Sequence, residues 1–305
     1  MKLKKRKNNM NRISSASNAI FNFIFIVYSF LCVYPVALVV GTSFSEENYL
    51  KEVGYRVFPQ VVSFDAYAYV SKVSSEIFSA YAVTIIVTVI GTILSTLFIA
   101  LYAYAITRKG FKQRKFFTFL MFFTMLFGGG MVPWYIICTN FLKIQNTLWA
   151  LILPYLVSAW SVMIMKTFFI SSVPDSIVES AKIDGASELK TFFKIVVPIS
   201  VPGLATIALF AMLGYWNDWY LPLMLTTKPE LSNLQYYLYR ILSNLNVLTD
   251  ASSSAYAQSG AMLKTLPKES ARMAICVIAI GPIIFAYPFF QKYFVQGLTI
   301  GAVKG

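Results

Sequence analysis

Six long hydrophobic stretches constrain the fold of this chain more than any other feature of its sequence. A helix that crosses the apolar core of a bilayer needs ~20 mostly apolar residues. The stretches that meet this requirement lie near Ala19–Val40, Tyr81–Thr107, Phe116–Thr139, Thr147–Ile170, Pro202–Leu225 and Met273–Phe290. Hydrophobic residues make up 57% of the chain and charged residues 13%, which is too apolar for an ordinary soluble domain. The predicted fold class is all-α, a polytopic membrane protein with six transmembrane helices.

The positive charge of the chain is distributed in a way that predicts its orientation. A formal net charge of +13 could by itself suggest a nucleic-acid partner. The basic residues, however, cluster at the ends of apolar stretches, as the positive-inside rule describes. The segment before the first stretch and the loop Arg108–Lys115 carry Lys and Arg without any acid, whereas Ser43–Ala80 is mainly acidic. We therefore expect a lipid bilayer around the chain, no nucleic acid, and both termini in the cytoplasm.

The sequence offers little for catalysis or metal binding. It contains no histidine, the commonest general base and metal ligand. Cys32, Cys138 and Cys276 lie far apart in apolar runs, which favours small buried side chains over a disulfide or a metal site. A phosphate-binding loop needs a second glycine that the segment from Gly185 to Thr191 lacks. We therefore predict no catalytic residue, no metal and no cofactor bound by this chain.

The connection after the fourth stretch, Ser171–Val201, predicts two short helices with a turn between them. Pro174 at a first-turn position and Asp175 favour the start of a helix. Gly185 can end that helix in a left-handed conformation, and Ser187 can open the second helix. The residues that share one face of the first helix are Ile177, Ala181 and Gly185.

This connection also carries a recognisable spacing. It resembles the EAA motif of ABC importer permeases, in which Glu-x-Ala, three residues, Gly, nine residues and Ile-x-Leu-Pro recur. The residues on that spacing are Glu179, Ala181, Gly185, Ile195 and Pro198. Ser180 stands where the motif has its first alanine, and Val197 stands where it has leucine.

The resemblance implies that the connection is a coupling loop seated on a separate ATPase subunit. The residues then expected to contact that ATPase are Glu179, Ser180, Ala181, Asp184, Gly185 and Ala186. ATP and Mg²⁺ would be bound by the partner ATPase, and this chain would be a transport subunit and not an enzyme.

The resemblance extends over nearly the whole chain. It looks like the carbohydrate branch of ABC importers, close to the smaller maltose-type permease, in segments Gln291–Gly305 and Tyr215–Leu223. Gly128–Ile136 looks like the subgroup that imports oligosaccharides released from complex polysaccharides. The resemblance implies a type I ABC importer permease fold in a bacterial cell membrane. The expected partners are a second homologous permease, two ATPase subunits, an extracellular solute-binding (lipo)protein and a sugar or oligosaccharide.

These expectations divide the chain into three parts: a basic cytoplasmic tail over residues 1–18, a six-span permease domain over 19–292 with the coupling loop 173–201, and a cytoplasmic tail over 293–305. In the maltose-type family the last part inserts between the ATPase subunits, which implies ATPase contacts for Gly297, Gly301 and Lys304. The alternative is a solvated, frayed end.

Two places are candidates for the substrate path. Gly128–Gly130 interrupts the third stretch, so that Gly129 and Trp134 either line a broken helix or mark a packing kink. In the fifth stretch the candidates are Trp216, Asn217, Asp218 and Trp219. Aromatic rings and carboxylates suit a sugar, but this depth also suits an interfacial aromatic belt or a structural role, which we favour slightly.

A secondary, ion-coupled transporter is the alternative function. Such a protein would show an inverted repeat and ionisable groups near the middle of the membrane. The sequence has no histidine and no convincing repeat, so the importer is the preferred interpretation.

Overall fold

The computed structural model describes residues 15–71, 74–253 and 269–302, and these residues are almost entirely helical. Within them there is no β-strand, only a single antiparallel bridge between Ser45 and Val62. The predicted all-α class is confirmed. The described residues fall into two compact units, one within Met1–Lys72 and Ser259–Val277 and one within Val73–Gln258 and Ile278–Gly305.

The first unit contains a long apolar helix and two short ones. They are α1 (Ser15–Ser43), α2 (Glu47–Val53) and α3 (Asp65–Ser71). After α1 the chain is held by aromatic packing, because the Phe44 ring stacks on Tyr67 and meets Phe64 edge-on. The carboxylate of Glu47 accepts hydrogen bonds from the backbone N–H groups of Glu269 and Ser270. Glu47 thereby satisfies free N–H groups where the C-terminal helix begins.

The second unit is built around the long helix α4 (Ser74–Thr107). The helices that follow it are α5 (Arg114–Leu126), α6 (Met131–Ile136), α7 (Ala159–Ser172), α8 (Asp175–Ile183), α9 (Glu188–Thr191), α10 (Val197–Ile199), α11 (Val201–Trp216), α12 (Tyr220–Leu225) and α13 (Leu234–Ser253). Helix α4 packs along α11 and α7. A Cβ atom on Gly91 would lie 2.6 Å from the ring of Tyr215, so the close approach of α4 and α11 needs a glycine at this point.

The membrane spans are less regular than the sequence predicts. Within the described residues, only α1 and α4 hold continuous helices long and apolar enough to cross a bilayer. Three further candidates are pairs of helices bent at a short break, by 119°, 52° and 87°. Counting each bent pair as one span gives up to five, and the predicted sixth span lies within α14 (Glu269–Ala302). The count of six stays a prediction.

The breaks have local causes. The predicted interruption of the third stretch is confirmed between α5 and α6, where Gly130 adopts φ +84°. The fourth stretch is not one helix as predicted. It opens with two 3₁₀ turns, the second of which contains Pro154. Helix α7 begins only at Ala159, after the Ser158 cap. Proline has no N–H and clashes with the preceding turn of an α-helix, so it opposes a continuous helix there.

The fifth stretch, predicted as one helix, is also divided. Helix α11 ends at Trp216 and α12 begins at Tyr220. The Asp218 carboxylate accepts hydrogen bonds from the N–H groups of Tyr220 and Leu221, at 3.0 and 3.2 Å. An aspartate in this position caps a new helix, which explains the interruption.

The predicted boundary between residues 292 and 293 does not coincide with the end of a helix. The backbone of α14 continues as one helix to Ala302, and it therefore includes Gly297 and Gly301. Lys304 lies outside the described residues.

Candidate coupling site

The loop predicted to couple to an ATPase begins at Pro174. This residue has extended backbone angles (φ −62°, ψ 134°) and precedes α8, which starts at Asp175. Pro174 thus occupies the capping position, one residue before the predicted first turn. Its missing N–H causes no loss there, because a helix leaves its first N–H groups unpaired anyway.

Helix α8 ends as predicted, at a glycine in the left-handed region. Gly185 has φ +77°. The N–H of Ala186 donates to the carbonyl of Ala181 at 2.9 Å, and the N–H of Gly185 donates to the carbonyl of Lys182 at 3.1 Å. These two bonds form a Schellman motif. Most residues with a Cβ are strained at this φ, so the turn strongly favours glycine.

The second helix begins with a side-chain cap, also as predicted. The hydroxyl of Ser187 accepts a hydrogen bond from the N–H of Lys190 at 3.3 Å. Helix α9 then continues through a π-helical segment, Phe192–Val196, into α10. The Gly185 turn and the Ser187 cap fix the direction in which the chain leaves α8.

The face of α8 that carries Ile177, Ala181 and Gly185 is only partly buried. Val178 and Ala181 are 2% and 7% exposed, whereas Ile177 is 40% exposed. Val178 is buried in a core cluster with Tyr104 and Phe192. This cluster takes up the side of α8 that carries Val178, so Ile177 is turned outward and Ala181 faces inward.

The other predicted contact residues lie mostly on the free surface of the loop. Glu179, Ser180, Asp184 and Gly185 are exposed, and Ala186 is half-buried. Ala181 packs against its own chain in this structure. The predicted contact residues that present accessible polar groups are therefore Glu179 and Ser180 of α8 and Asp184 directly after it.

Sequence reasoning missed two apolar residues of this surface. Ile183 is 86% exposed at the end of α8, and Leu189 is 63% exposed in α9. Their signal was available: each is a large apolar residue among charged neighbours, out of phase with the buried positions. Each is therefore available to a partner on the surface of the loop.

Glu188 connects the loop to the end of α4. The hydroxyl of Tyr104 donates to Glu188 Oε2 at 2.8 Å, and Arg108 Nε lies 3.8 Å from the same oxygen. Lys182 Nζ lies 3.5 Å from Glu188 Oε1. The side chain of Glu188 is 53% exposed, so its ion pairs contribute little. The tyrosine bond, with its buried ring, is the more constraining contact.

An exposed ion pair connects the start of α8 to the basic loop. Lys109 Nζ lies 2.6 Å from Asp175 Oδ2. This hydrogen bond lowers the pKa of the Asp175 carboxyl and raises the pKa of Lys109. The stabilisation from Asp175 is fully present above pH ~3.9, the ordinary pKa of aspartate, and it is lost as the pH falls through the lowered pKa. The stabilisation from Lys109 is fully present below pH ~10.4, the ordinary pKa of lysine, and it is lost as the pH rises through the raised pKa. The pair therefore stays charged across the physiological range.

In the fifth stretch, two of the substrate-path candidates are held inside their own chain. Trp216 is 5% exposed, and its indole N–H donates to the carbonyl of Ala279 at 3.3 Å. Asp218 is 7% exposed and caps α12, with the Tyr155 hydroxyl 3.5 Å from its carboxylate. Asp218 thus makes its hydrogen bonds within its own chain.

The remaining candidates are accessible. Asn217 is exposed, and Trp219 is 43% exposed and stacks on Tyr239 with ring centroids 5.0 Å apart. Trp134 lies beside Tyr220, with centroids 5.9 Å apart, so the third and fifth stretches meet there. Gly129 is exposed, and a Cβ on it would meet no atom within 4 Å.

A groove that the sequence did not indicate lies between α4, α7 and α11. Its volume is about 370 Å³. Trp160 and Phe210 form a ring pair on its wall, with centroids 5.4 Å apart. The hydroxyl-bearing residues that line it are Ser95, Tyr155, Ser158, Ser161 and Tyr215. Only the tertiary structure brings these distant residues together, so no local pattern could have found them.

Comparison with known proteins places this geometry in a family. Residues 97–300 match the family model described as "Binding-protein-dependent transport system inner membrane component". The chain is 34% identical to the polygalacturonan/rhamnogalacturonan transport system permease protein YtcP of Bacillus subtilis (strain 168), over 94% of this chain and 97% of that one. It is 35% identical to Protein LplC of the same organism, over 90% of each.

A solved structure is also similar. It is a crystal structure of a bacterial ABC transporter involved in the import of the acidic polysaccharide alginate. The TM-score is 0.78 and the sequence identity 29%, with 93% of this chain and 100% of the other covered.

Proposed function

Because this chain belongs to the family of binding-protein-dependent transport system inner membrane components, we propose that it forms the membrane path of an ATP-driven oligosaccharide importer. Members of this family are transport components and not enzymes, and this chain is embedded in a membrane. The family and the relatives named above give no support to an ion-coupled transporter.

The geometry of α8 and α9 carries the proposal. One side of α8 is packed into its own chain by Val178, and the other side presents Glu179, Asp184 and the apolar Ile183. A short helix fixed on one side and exposed on the other can transmit movement from a partner to the spans behind it. We assign the partner as an ATPase subunit, which would bind ATP and Mg²⁺ itself.

The rest of the assembly follows from the same proposal. It comprises a second homologous permease, two ATPase subunits and an extracellular solute-binding protein, with both termini of this chain in the cytoplasm. Gly297 and Gly301 lie near the end of α14. We propose that they contact the ATPase together with Lys304. Similar proteins that are named for polygalacturonan, rhamnogalacturonan and alginate support an oligosaccharide as cargo.

Ile183→Asp tests the coupling surface. Ile183 is 86% exposed, so the change should leave the fold of this chain intact while it places a charge in the apolar centre of the contact. We expect ATPase association and sugar import to fall about tenfold or more, as for a buried interface anchor. The measurement is ATPase co-purification and uptake by the full transporter in proteoliposomes.

Two variants control this experiment. Ile183→Leu keeps the apolar contact and should preserve both readouts. Leu142→Asp places the same charge at a residue that is 54% exposed on the other predicted side of the membrane, and it should leave ATPase association unchanged. Normal association and uptake by Ile183→Asp would remove α8 from the coupling contact.

Trp160 provides a test of the substrate path. It is 51% exposed on the wall of the groove between α4, α7 and α11, where an indole face can pack on a sugar ring while hydroxyls bond it. We propose that this groove and the accessible residues Trp134 and Trp219 lie along the path. Trp160→Ala should lower sugar import about tenfold with basal ATP hydrolysis retained.

The matched control for this test is Trp149→Ala, because Trp149 is 49% exposed and does not line the groove. Equal import by both tryptophan variants would exclude Trp160 from the path, and it would leave the coupling proposal intact.

A further inference from the structure

A second groove, lined by α4, α5 and α7, carries charged groups that the transport function does not use. It lies where α4 ends and α5 begins, and its volume is about 600 Å³. Three cationic side chains line it: Arg114 and Lys115 from the first turn of α5, and Lys166 from the middle of α7. Sequence position does not show this cluster, because Lys166 is separated from Arg114 by two hydrophobic stretches.

These cations have no acidic partner. Among the residues that the structure describes, none of the three forms an ion pair with a carboxylate, and no Asp or Glu lines the groove. Lys166 is half-buried, and its ammonium group lies 3.5 Å from the Thr118 hydroxyl. A cation within a membrane stretch is costly unless it faces water, a partner or a ligand. The groove is therefore complementary to an anion.

The walls of the groove are apolar. Phe119 and Phe122 of α5 are 62% and 47% exposed, and Ile170 of α7 is 65% exposed. These residues belong to stretches that are predicted to lie in the hydrocarbon region, while Arg114 and Lys115 lie at the boundary with the basic loop. The groove thus has a cationic head and an apolar body.

We propose that this groove binds an anionic phospholipid, with its phosphate on Arg114 and Lys166 and its acyl chains along Phe119, Phe122 and Ile170. Basic pockets between membrane helices, open to the headgroup region, are suited to such lipids. The phosphate would take the place of the missing carboxylate partner. A sugar site would need hydroxyl and amide groups along the walls, and Thr107 and Thr118 are the uncharged polar residues among those that line the groove.

The test compares two variants of equal net charge within the purified transporter. Arg114→Gln/Lys166→Gln removes the head of the groove, and Lys112→Gln/Lys190→Gln removes two exposed lysines on the same predicted side that do not line it. Each complex is incorporated into nanodiscs of phosphatidylglycerol and phosphatidylcholine, and the tightly bound lipid is identified by native mass spectrometry. We expect phosphatidylglycerol retention to fall about tenfold in the first variant only.

Arg114→Lys/Lys166→Arg keeps both charges and should retain phosphatidylglycerol, which separates lipid binding from misfolding. Equal retention of phosphatidylglycerol by the two Gln variants would overturn the proposal. So would an unchanged transporter that retains phosphatidylcholine as strongly as phosphatidylglycerol. Displacement of the lipid by trigalacturonate at a concentration that saturates transport would also overturn it, because the groove would then belong to the cargo. The comparison of the two Gln variants does not depend on which sugar is imported.

Discussion

Replacing Gly185 by valine is expected to lower sugar import by the assembled transporter about tenfold. Gly185 adopts φ +77° in the turn that ends α8, and a residue with a Cβ costs ~1–2 kcal/mol in this region, with β-branched side chains at the upper end. That energy corresponds to about a tenfold loss of the native turn. Since the turn sets the direction of α9 relative to α8, we expect uptake and substrate-stimulated ATP hydrolysis to fall together.

Two substitutions make this result specific to the backbone. Gly185→Asn should retain most activity, because asparagine tolerates the left-handed region. Gly110→Val adds the same side chain to a neighbouring loop glycine that has open space and no positive φ, and it should be silent. If Gly185→Val transports normally, the Schellman turn has no part in coupling.

Replacing Val178 by aspartate is expected to detach α8 from the spans behind it. Val178 is 2% exposed and is buried in a cluster with Tyr104, Phe169 and Phe192. Burying a carboxylate in such a cluster without a partner costs ~3 kcal/mol or more. We expect import to be lost and the loop to be cut more readily by protease in the purified complex.

Helix α8 offers its own controls for this change. Ser176→Asp places the same charge on the exposed side of the first turn, where a helix N-terminus favours an acid, and it should leave the loop as resistant to protease as in the unchanged chain. Val178→Ala should cost ~2 kcal/mol and give an intermediate phenotype. Unimpaired import by Val178→Asp would show that packing of α8 against its own chain is dispensable.

Together these substitutions separate the two sides of the coupling loop. Val178 and the Tyr104–Glu188 hydrogen bond hold the loop to α4, whereas Ile183 is available to a partner. Failure of the inner contact should reduce import through loss of loop position, and failure of the outer contact should reduce it through loss of ATPase binding.

Features that depend on local chemistry could be predicted from the sequence. The left-handed Gly185, the Ser187 cap and the break at Gly128–Gly130 each depend on a few consecutive residues. The breaks in the fourth and fifth stretches were missed because apolar length dominated the interpretation. In the fifth stretch the residue at the break is Asp218, whose carboxylate accepts hydrogen bonds from the first N–H groups of α12.

The sequence by itself determined that this chain is a helical membrane protein whose connection after the fourth stretch ends one helix at a glycine and opens the next at a serine, because apolar length and turn chemistry act over short distances. Only the tertiary structure decided which side of α8 is buried, since the space for Val178 is formed by Tyr104 of α4 and Phe192 of the segment after α9. It likewise decided that Arg114 and Lys166 meet in one groove. Side chains more than fifty residues apart come together only through helix packing, which no local pattern records.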